Sequence, residues 1–389
     1  MVGFGLIIPV QPSLIQEVGH MDVAHASLIG GWLFAAFSVT QFLFGPTMGN
    51  LSDAYGRRPL LLLAVAGLLV DYLIMALAPS LPWLFAGRLL AGFCGASYVV
   101  ANAFIADITA PEGRAKAFGM MGAAFGLGFV IGPAIGGLLG TFGTRVPFFV
   151  AAAVSLINLI FGYFILPETL PADKRRAFEL SRANPIVTFK VFGTYKGVMP
   201  LCVVMVIYFF ATAIYPAIWP FWGVAKFGWS AATIGITLAA FGLINAAFQG
   251  LLSDWTVKRW GEWNMALIGL ITAVIAMVGY GLVGNFTLVL ILLVVHGPEG
   301  FVYPMLTAMM SKEVPADAQG EMQGGLASAQ SLAMLVGTVV FSQMFGYFLL
   351  PGAPIVSPNI AFYVATAFLV LALGLFLANT RYHSKESLS

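Results

Sequence analysis

The sequence predicts an all-α membrane protein whose twelve transmembrane helices form two six-helix bundles. Composition is the first reason, because 60% of the 389 residues are hydrophobic and only 9% are charged. An ordinary soluble domain has about 25% charged residues. Uncharged runs are the second reason, since each is at least the roughly 20 residues that cross a bilayer. These runs are residues 23–52, 117–144, 146–167, 197–225, 227–253, 263–298 and 322–380.

The two longest runs each have room for two helices, and each contains a glycine or proline break. The breaks are Gly284-Asn285 and the cluster at 351–354, PGAP, which are typical ends of helices. The first span opens at Met1 inside an apolar segment, so we expect it to be truncated at its N-terminus. The predicted spans are 1–18, 27–49, 59–79, 82–106, 115–139, 146–166, 198–222, 231–253, 263–284, 287–310, 321–349 and 359–379.

Basic residues define the domain boundary and the orientation. Residues 167–197 contain six lysines and arginines, which predicts a basic cytoplasmic linker between an N-terminal bundle, 1–166, and a C-terminal bundle, 198–389. Every other lysine and arginine except Arg88, Arg145 and Lys226 falls in loops on the same side as this linker or in the tail. The positive-inside rule then places both termini in the cytoplasm.

The two halves also repeat weakly, because GNLSD at 49–53 returns as GLLSD at 250–254. Such a duplication is typical of secondary transporters and is not expected in a seven-span receptor or a simple channel. The sequence has no phosphate-binding loop, so we expect a proton gradient rather than ATP to supply the energy. Cys94 and Cys202 are expected to be packing residues. We predict no catalytic residues, metal site, cofactor or nucleic-acid partner.

The loop between the second and third spans contains the most specific motif. It reads Gly49-x-x-x-Asp53-x-x-Gly56-Arg57-Arg58 and ends in a proline that can begin the next helix. This loop resembles the signature loop of the major facilitator superfamily, which implies that it latches the cytoplasmic side. A generic positively charged hairpin is the alternative. The same resemblance extends to two further residues expected to act in gating, Asp107 and Arg114.

The fifth span contains a regular row of small residues with a proline near its end. Small residues at such spacing allow a second helix to approach closely, and the proline is expected to bend the span. The row resembles the motif of the antiporter branches of the superfamily, and an ordinary packing device is the alternative. Its members are Gly122, Gly126, Gly128, Gly132, Pro133, Gly136 and Gly137.

Together with matches at 3–12, 87–92 and 105–107, these motifs resemble the bacterial tetracycline/proton antiporters. The resemblance implies proton-coupled export of small amphiphilic drugs by alternating access, by a monomer in the bacterial inner membrane, with no cofactor. The drug can travel alone or as a divalent-metal chelate. The alternatives are export or flipping of a lipid, sugar or other metabolite by the same fold, and a receptor or scaffold that transports nothing. Members of this family usually carry an acidic residue in helix one just before the segment that matches Gly3-x-Gly5, at a position that would fall upstream of Met1 in this chain.

Four acidic or basic residues lie in the interior of predicted spans, away from the span ends, where charge costs several kcal/mol and therefore indicates function. Asp71 and Arg88 lie at similar depths on two adjacent spans, so we expect them to form either a structural salt bridge or a pair that opens during proton transfer. His296 and Glu299 are three residues apart on one helix face, on either side of Gly297-Pro298. They suit proton binding, and a polar kink is the alternative.

Substrate contacts are predicted from the resemblance, because helices one, four, seven and ten line the central cavity in this superfamily. Two glutamines on other helices form a second tier. The first-tier residues are Gln11, Tyr98, Asn102, Tyr208 and Tyr303, and the second-tier residues are Gln41 and Gln249.

Overall fold

The computed structural model describes residues 2–110, 113–178, 195, 197–315 and 318–379. Its α-helices, in chain order, are α1 Val2–Ile7, α2 Gln11–Gly19, α3 Val23–Tyr55, α4 Arg57–Leu77, α5 Leu81–Gly95, α6 Tyr98–Ile108, α7 Arg114–Gly140, α8 Val146–Ile165, α9 Met199–Thr212, α10 Ile214–Phe227, α11 Ala231–Ala247, α12 Ser253–Leu282, α13 Phe286–His296, α14 Val302–Ser311, α15 Gln319–Leu349 and α16 Ile360–Ala378.

Among the described residues, 11 helical stretches are long and apolar enough to cross a membrane. The predicted first span is also helical, as α1, a short 3-10 turn Ile8–Val10 and α2. Pro9 and Pro12 sit in the first turns of the two later pieces, where a missing backbone N–H costs nothing. The predicted all-α membrane fold is therefore confirmed.

Three further spans that the sequence predicts as single helices each consist of two α-helices. The break at 297–301, between α13 and α14, is a 3-10 segment that begins beside Pro298, as the proline predicts. The breaks between α5 and α6 and at Ala213 between α9 and α10 have no proline at the break itself. Between α5 and α6 the backbone changes to 3-10 hydrogen bonding, in which the Ser97 N–H donates to the Cys94 carbonyl three residues earlier.

By its internal contacts the chain divides into two compact units. The first comprises Met1–Asp22, Trp32–Ile186 and Trp229–Ala239. The second comprises Val23–Gly31, Val187–Gly228 and Ala240–Ser389. Two short segments are grouped with the unit formed mainly by the other half of the sequence, Val23–Gly31 with the second and Trp229–Ala239 with the first. Each contains a closely packed glycine: Gly31 leaves room for Ser342, and Gly235 lies against the backbone of Pro133.

Each unit has its own apolar core. In the first, a cluster formed by α3, α4, α5 and α6 is centred on Met48, Leu60 and Cys94. In the second, the aromatic residues dominate, and the rings of Trp263 and Phe376 stack with centroids 4.0 Å apart. Many large apolar side chains also point outward, as expected for helices that face lipid rather than water.

Candidate functional site

The α3–α4 loop is organised around Arg57, which is only 8% exposed although charged. Its Nη1 lies 2.5 Å from Oδ1 of Asp53 and donates to Oγ of Ser52. Its Nε donates to Oδ2 of Asp107, at the end of α6, over 3.2 Å. Burying a charge is costly unless it is paired and hydrogen-bonded, and these three partners satisfy Arg57. The structure thus brings together Asp53, Arg57 and Asp107, which the family resemblance grouped as gating residues.

Gly56 and Arg58 complete the turn of this loop. Gly56 has φ of 102°, a conformation that glycine adopts far more readily than other residues. Arg58 donates from Nε to the Leu166 carbonyl over 2.8 Å and from Nη2 to the Tyr163 carbonyl over 2.6 Å. These two carbonyls lie at the end of α8, so Arg58 ties the start of α4 to it.

The two remaining predicted gating residues are Gly49 and Arg114. A Cβ at Gly49 would lie 3.3 Å from Val99, so this glycine lets α3 approach α6. The side chain of Arg114 lies outside the described part of the chain.

Sequence reasoning missed Glu168, which follows α8 and binds the start of α4. Its Oε1 accepts from the backbone N–H of Arg57 over 2.9 Å, and its Oε2 accepts from that of Arg58 over 3.3 Å. A carboxylate is favoured there, because the first N–H groups of a helix are unpaired and carry partial positive charge. The only sequence signal is the acidic residue in Pro167-Glu168 just after a span.

Several groups act on the pKa of the Glu168 carboxyl. Partial burial raises the pKa, but the backbone N–H groups of Leu170, Arg57 and Arg58 and the charge of Arg175 lower it by more. The pKa therefore lies below its usual range, and the ionised carboxylate stabilises the folded state. That contribution is present above the pKa of the unfolded chain and is lost as the pH falls through the folded pKa.

We expect Glu168→Gln to lower the thermal stability of the purified protein at neutral pH, because the uncharged amide interacts more weakly with the α4 terminus. The deficit should shrink as the pH falls through the folded pKa of Glu168, since the wild-type carboxylate is then protonated too. Melting temperature against pH measures this. Glu17→Gln is the control, because Glu17 pairs with Arg145 in an exposed ion pair, a type that contributes little. A Glu168→Gln deficit that is the same at every pH would contradict this role.

Asp71 on α4 and Arg88 on α5 meet inside the first unit. Arg88 Nη2 donates to both carboxylate oxygens of Asp71, over 2.8 and 2.6 Å. The two side chains are 1% and 8% exposed, so the pair is almost fully removed from solvent. A Cβ at Gly87 would lie 2.9 Å from the Asp71 carboxylate, so this glycine leaves room for the pair.

The small-residue row on α7 divides into two parts. A Cβ at Gly132 would lie 2.7 Å from Cα of Gly5, and one at Gly136 would lie 2.7 Å from Cα of Leu6, so α1 packs on this part of α7 backbone to backbone. Gly137 faces the Ala231 carbonyl in the same way. At Gly122 and Gly126, by contrast, no described atom lies within 4 Å of the added Cβ. The close packing expected of the whole row therefore begins at Gly128, whose carbonyl lies 3.1 Å from a Cβ added at Gly5, and is not found at Gly122 or Gly126.

The break between α13 and α14 is enclosed by its neighbours in the second unit. Gly269 of α12 allows close approach, since a Cβ there would lie 2.9 Å from the Pro298 carbonyl. On the other side Gly297 faces the ring of Phe248, which begins a π-helical segment, Phe248–Leu252. The result is that Glu299, in the broken segment, is 7% exposed.

Glu299 and His296 contact each other through Oε2 and Nε2. The other carboxylate oxygen, Oε1, accepts from the Tyr208 hydroxyl of α9 over 2.8 Å. The other imidazole nitrogen, Nδ1, lies 3.2 Å from the Tyr280 hydroxyl of α12. Glu299 and His296 thus form a polar pair that Tyr208 caps at one end and Tyr280 at the other, and we call it the tyrosine-capped pair.

Aromatic rings cover the imidazole of this pair. The Tyr215 ring lies 4.8 Å from the His296 ring, centroid to centroid, and the Phe241 ring lies 5.1 Å from it. His296 is 1% exposed as a result. Among the described residues, the Tyr215 hydroxyl is buried without a hydrogen-bond partner. The rings hold the imidazole in an apolar enclosure.

The predicted substrate residues of the first unit lie on three elements. Gln11 is half-buried at the start of α2, and Gln41 of α3 faces Gly95. Tyr98 is 48% exposed at the start of α6, where its carbonyl accepts from the Asn102 amide over 3.0 Å. The described contacts join Tyr98 to Asn102 but join neither residue to Gln11.

The predicted substrate residues of the second unit surround the broken segment Gly297–Phe301. Tyr303 packs edge-on against Phe209, with ring centroids 5.6 Å apart, and Phe209 does the same with Tyr208 at 5.2 Å. Gln249 donates to the Asn245 amide oxygen over 3.4 Å, and both side chains border Gly300. Tyr208 is 7% exposed and donates to Glu299, so this predicted substrate residue is also a cap of the tyrosine-capped pair.

Comparisons with known proteins find relatives that match most of the chain in sequence or in fold. The sequence profile of the Major Facilitator Superfamily matches residues 1–338. The class C tetracycline resistance protein of Escherichia coli is 37% identical over 88% of this chain and 86% of its own. Multidrug resistance protein 2 of Bacillus subtilis (strain 168) is 30% identical over 88% and 85%. Among solved structures, a D-xylose-proton symporter superposes with a TM-score of 0.76 at 17% identity, covering 96% of this chain and 94% of its own.

Proposed function

The chain belongs to the major facilitator superfamily, and we propose that it is a proton-coupled exporter of small amphiphilic drugs, with tetracyclines as its substrates. The family consists of transporters rather than enzymes, and the chain is a multi-pass membrane protein. The observation that supports the substrate class is the 37% identity to a tetracycline resistance protein across most of both chains.

Buried ionisable groups support the proton coupling. Within the described parts of the chain, each unit encloses a pair that contains a carboxyl group: Asp71 with Arg88 in the first, and Glu299 with His296 in the second. Buried charged pairs are weak contributors to stability compared with apolar residues of similar size, so stability alone does not account for them. A carrier that loads and releases protons requires groups of this kind within its spans.

The distribution of basic residues supports a membrane location and an orientation for the chain. We place the chain in the bacterial inner membrane with both termini in the cytoplasm, because the basic residues cluster on one side. The Arg57 network then lies on the cytoplasmic side, where it would latch that side between transport steps. The transporter would work as a monomer without a cofactor, and its substrate would bind alone or as a divalent-metal chelate.

A second candidate function is export of a wider range of drugs. The 30% identity to a Bacillus subtilis multidrug resistance protein supports it. The fold is compatible with both, and a panel of drugs separates them.

Resistance of a host strain that lacks its own drug exporters tests the proposal. Expression of the chain should raise the tetracycline concentration that stops growth, and a protonophore should restore drug accumulation in the cells. Resistance to unrelated drugs as well would favour the multidrug function. Resistance to no drug in the panel, with the protein present in the membrane, would contradict both and would favour a metabolite or lipid exporter or a protein that transports nothing.

A further inference from the structure

We propose that the tyrosine-capped pair is the proton-exchange site of the second unit, in which Glu299 takes up the transported proton and His296 shares it. This inference rests on the proposed function, since it names the group that couples the proton to export. It is independent of the Asp71–Arg88 pair, which belongs to the first unit.

The surroundings of Glu299 contain few other ionisable groups. Tyrosines face Glu299 and His296 from three packed helices: Tyr208 from α9, Tyr215 from α10 and Tyr280 from α12. Glu299 and His296 themselves lie on one span. Among the described residues no lysine or arginine nitrogen forms an ion pair with the Glu299 carboxylate. The charged residues of α12 end at Glu262, about two turns before Gly269 meets the broken segment.

Glu299 and His296 can hydrogen-bond to each other with the proton and without it. Without it, the Tyr280 hydroxyl donates to Nδ1 of His296, and Nε2–H donates to the Glu299 carboxylate. With it, the Glu299 carboxyl donates to Nε2, and Nδ1–H donates to the Tyr280 oxygen. Besides the added proton, the two states differ only in the histidine tautomer and in the orientation of the Tyr280 hydroxyl. The Tyr208 hydroxyl donates to the other carboxylate oxygen in both.

The charge of the site changes by one between these states. The protonated pair is neutral as a whole, which suits an apolar enclosure, whereas the deprotonated pair carries one negative charge. The hydrogen bond from Tyr208 stabilises the charged form more than the neutral one. Tyr208 is therefore a positioning residue that sets the pH at which the site exchanges its proton.

An infrared pH titration of the purified protein tests the site without any substrate. The wild type should show a protonated-carboxyl C=O band, growing as the pH falls, that is missing from Glu299→Gln. Identical difference spectra for the two proteins would overturn the assignment. Because this measurement uses no tetracycline, it also distinguishes failure of the proton site from failure of the proposed substrate.

Transport in proteoliposomes gives the second readout. Glu299→Gln keeps the size of the side chain but cannot change charge, so it should retain exchange of labelled for unlabelled tetracycline while losing uptake driven by a pH gradient. Full uphill uptake with an unaltered pH profile would overturn the proposal. Absence of tetracycline transport by the wild type would instead overturn the proposed substrate, and the infrared band would still decide the proton site.

Tyr208→Phe should move the pH midpoint of the infrared titration to higher pH by about one unit, because it removes a hydrogen bond to the charged form. Tyr363→Phe is the matched control, since that hydroxyl donates to the Gly281 carbonyl in the same unit over 3.1 Å and does not touch the pair. A midpoint that moves equally in both variants, or in neither, would contradict the role of Tyr208.

Discussion

Asp71→Asn and Arg88→Gln should each abolish transport and destabilise the protein strongly, whereas the double variant should recover part of the lost stability. Each single change leaves the partner's charge buried and unpaired, which costs about 3–5 kcal/mol. The double variant removes both charges together, so its cost should be well below the sum of the two. Thermal unfolding in detergent and drug uptake into vesicles are the two measurements.

The same cycle separates the two roles that the sequence left open for this pair. Recovery of stability without recovery of transport would assign the pair to proton transfer, and recovery of both would make it a structural salt bridge. Strict additivity of the two single changes would contradict the contact itself. Glu17→Gln is the control, because Glu17 forms a partly exposed ion pair with Arg145, the side chains being 45% and 32% exposed, and its loss should cost little. The change leaves the hydrogen bonds from Arg145 to the Ala76 and Ala78 carbonyls in place.

Gly136→Ala should impair both folding stability and transport, whereas Gly126→Ala should leave both near wild type. The added methyl at Gly136 would lie 2.7 Å from Cα of Leu6, and a backbone cannot swing aside as a flexible side chain does. Overpacking of this kind costs about 1–3 kcal/mol. At Gly126 no described atom lies within 4 Å of the methyl, and alanine is the better helix former.

Melting temperatures and uptake rates of the two alanine variants check this prediction. Equal effects at Gly126 and Gly136 would contradict the division of the row into an open half and a packed half. A uniform loss of transport at both positions without any loss of stability would instead indicate that the whole row acts in the conformational change.

Much of the fold follows from local sequence rules. Long uncharged runs predict the spans, and Pro298 predicts the broken segment because proline removes a backbone donor. The break at Ala213 has a similar but less direct signal, because Pro216 has no N–H to donate to the carbonyl of Thr212, the last residue of α9. The α7 row appears uniform in sequence, and only the structure shows that its second half has a backbone opposite.

Some contacts of the candidate sites could likewise be predicted from the sequence, and others could not. Asp71 and Arg88 were predictable as a pair, because helix length fixes their depth on neighbouring spans. The i, i+3 spacing likewise predicted that His296 and Glu299 share a face. Glu168 was not predictable, because it binds the α4 terminus across 111 residues of chain, and no local rule relates the two. The tyrosines around Glu299 come from three helices and required the packed structure.

Uptake of tetracycline into inverted membrane vesicles tests the proton-coupled export most directly. With an imposed pH gradient, acidic inside, vesicles that contain the chain should accumulate the drug against its concentration gradient, and a protonophore should abolish the accumulation. Vesicles without the chain should not respond. No accumulation, or accumulation that persists after the protonophore has collapsed the gradient, would contradict proton-coupled export of tetracycline.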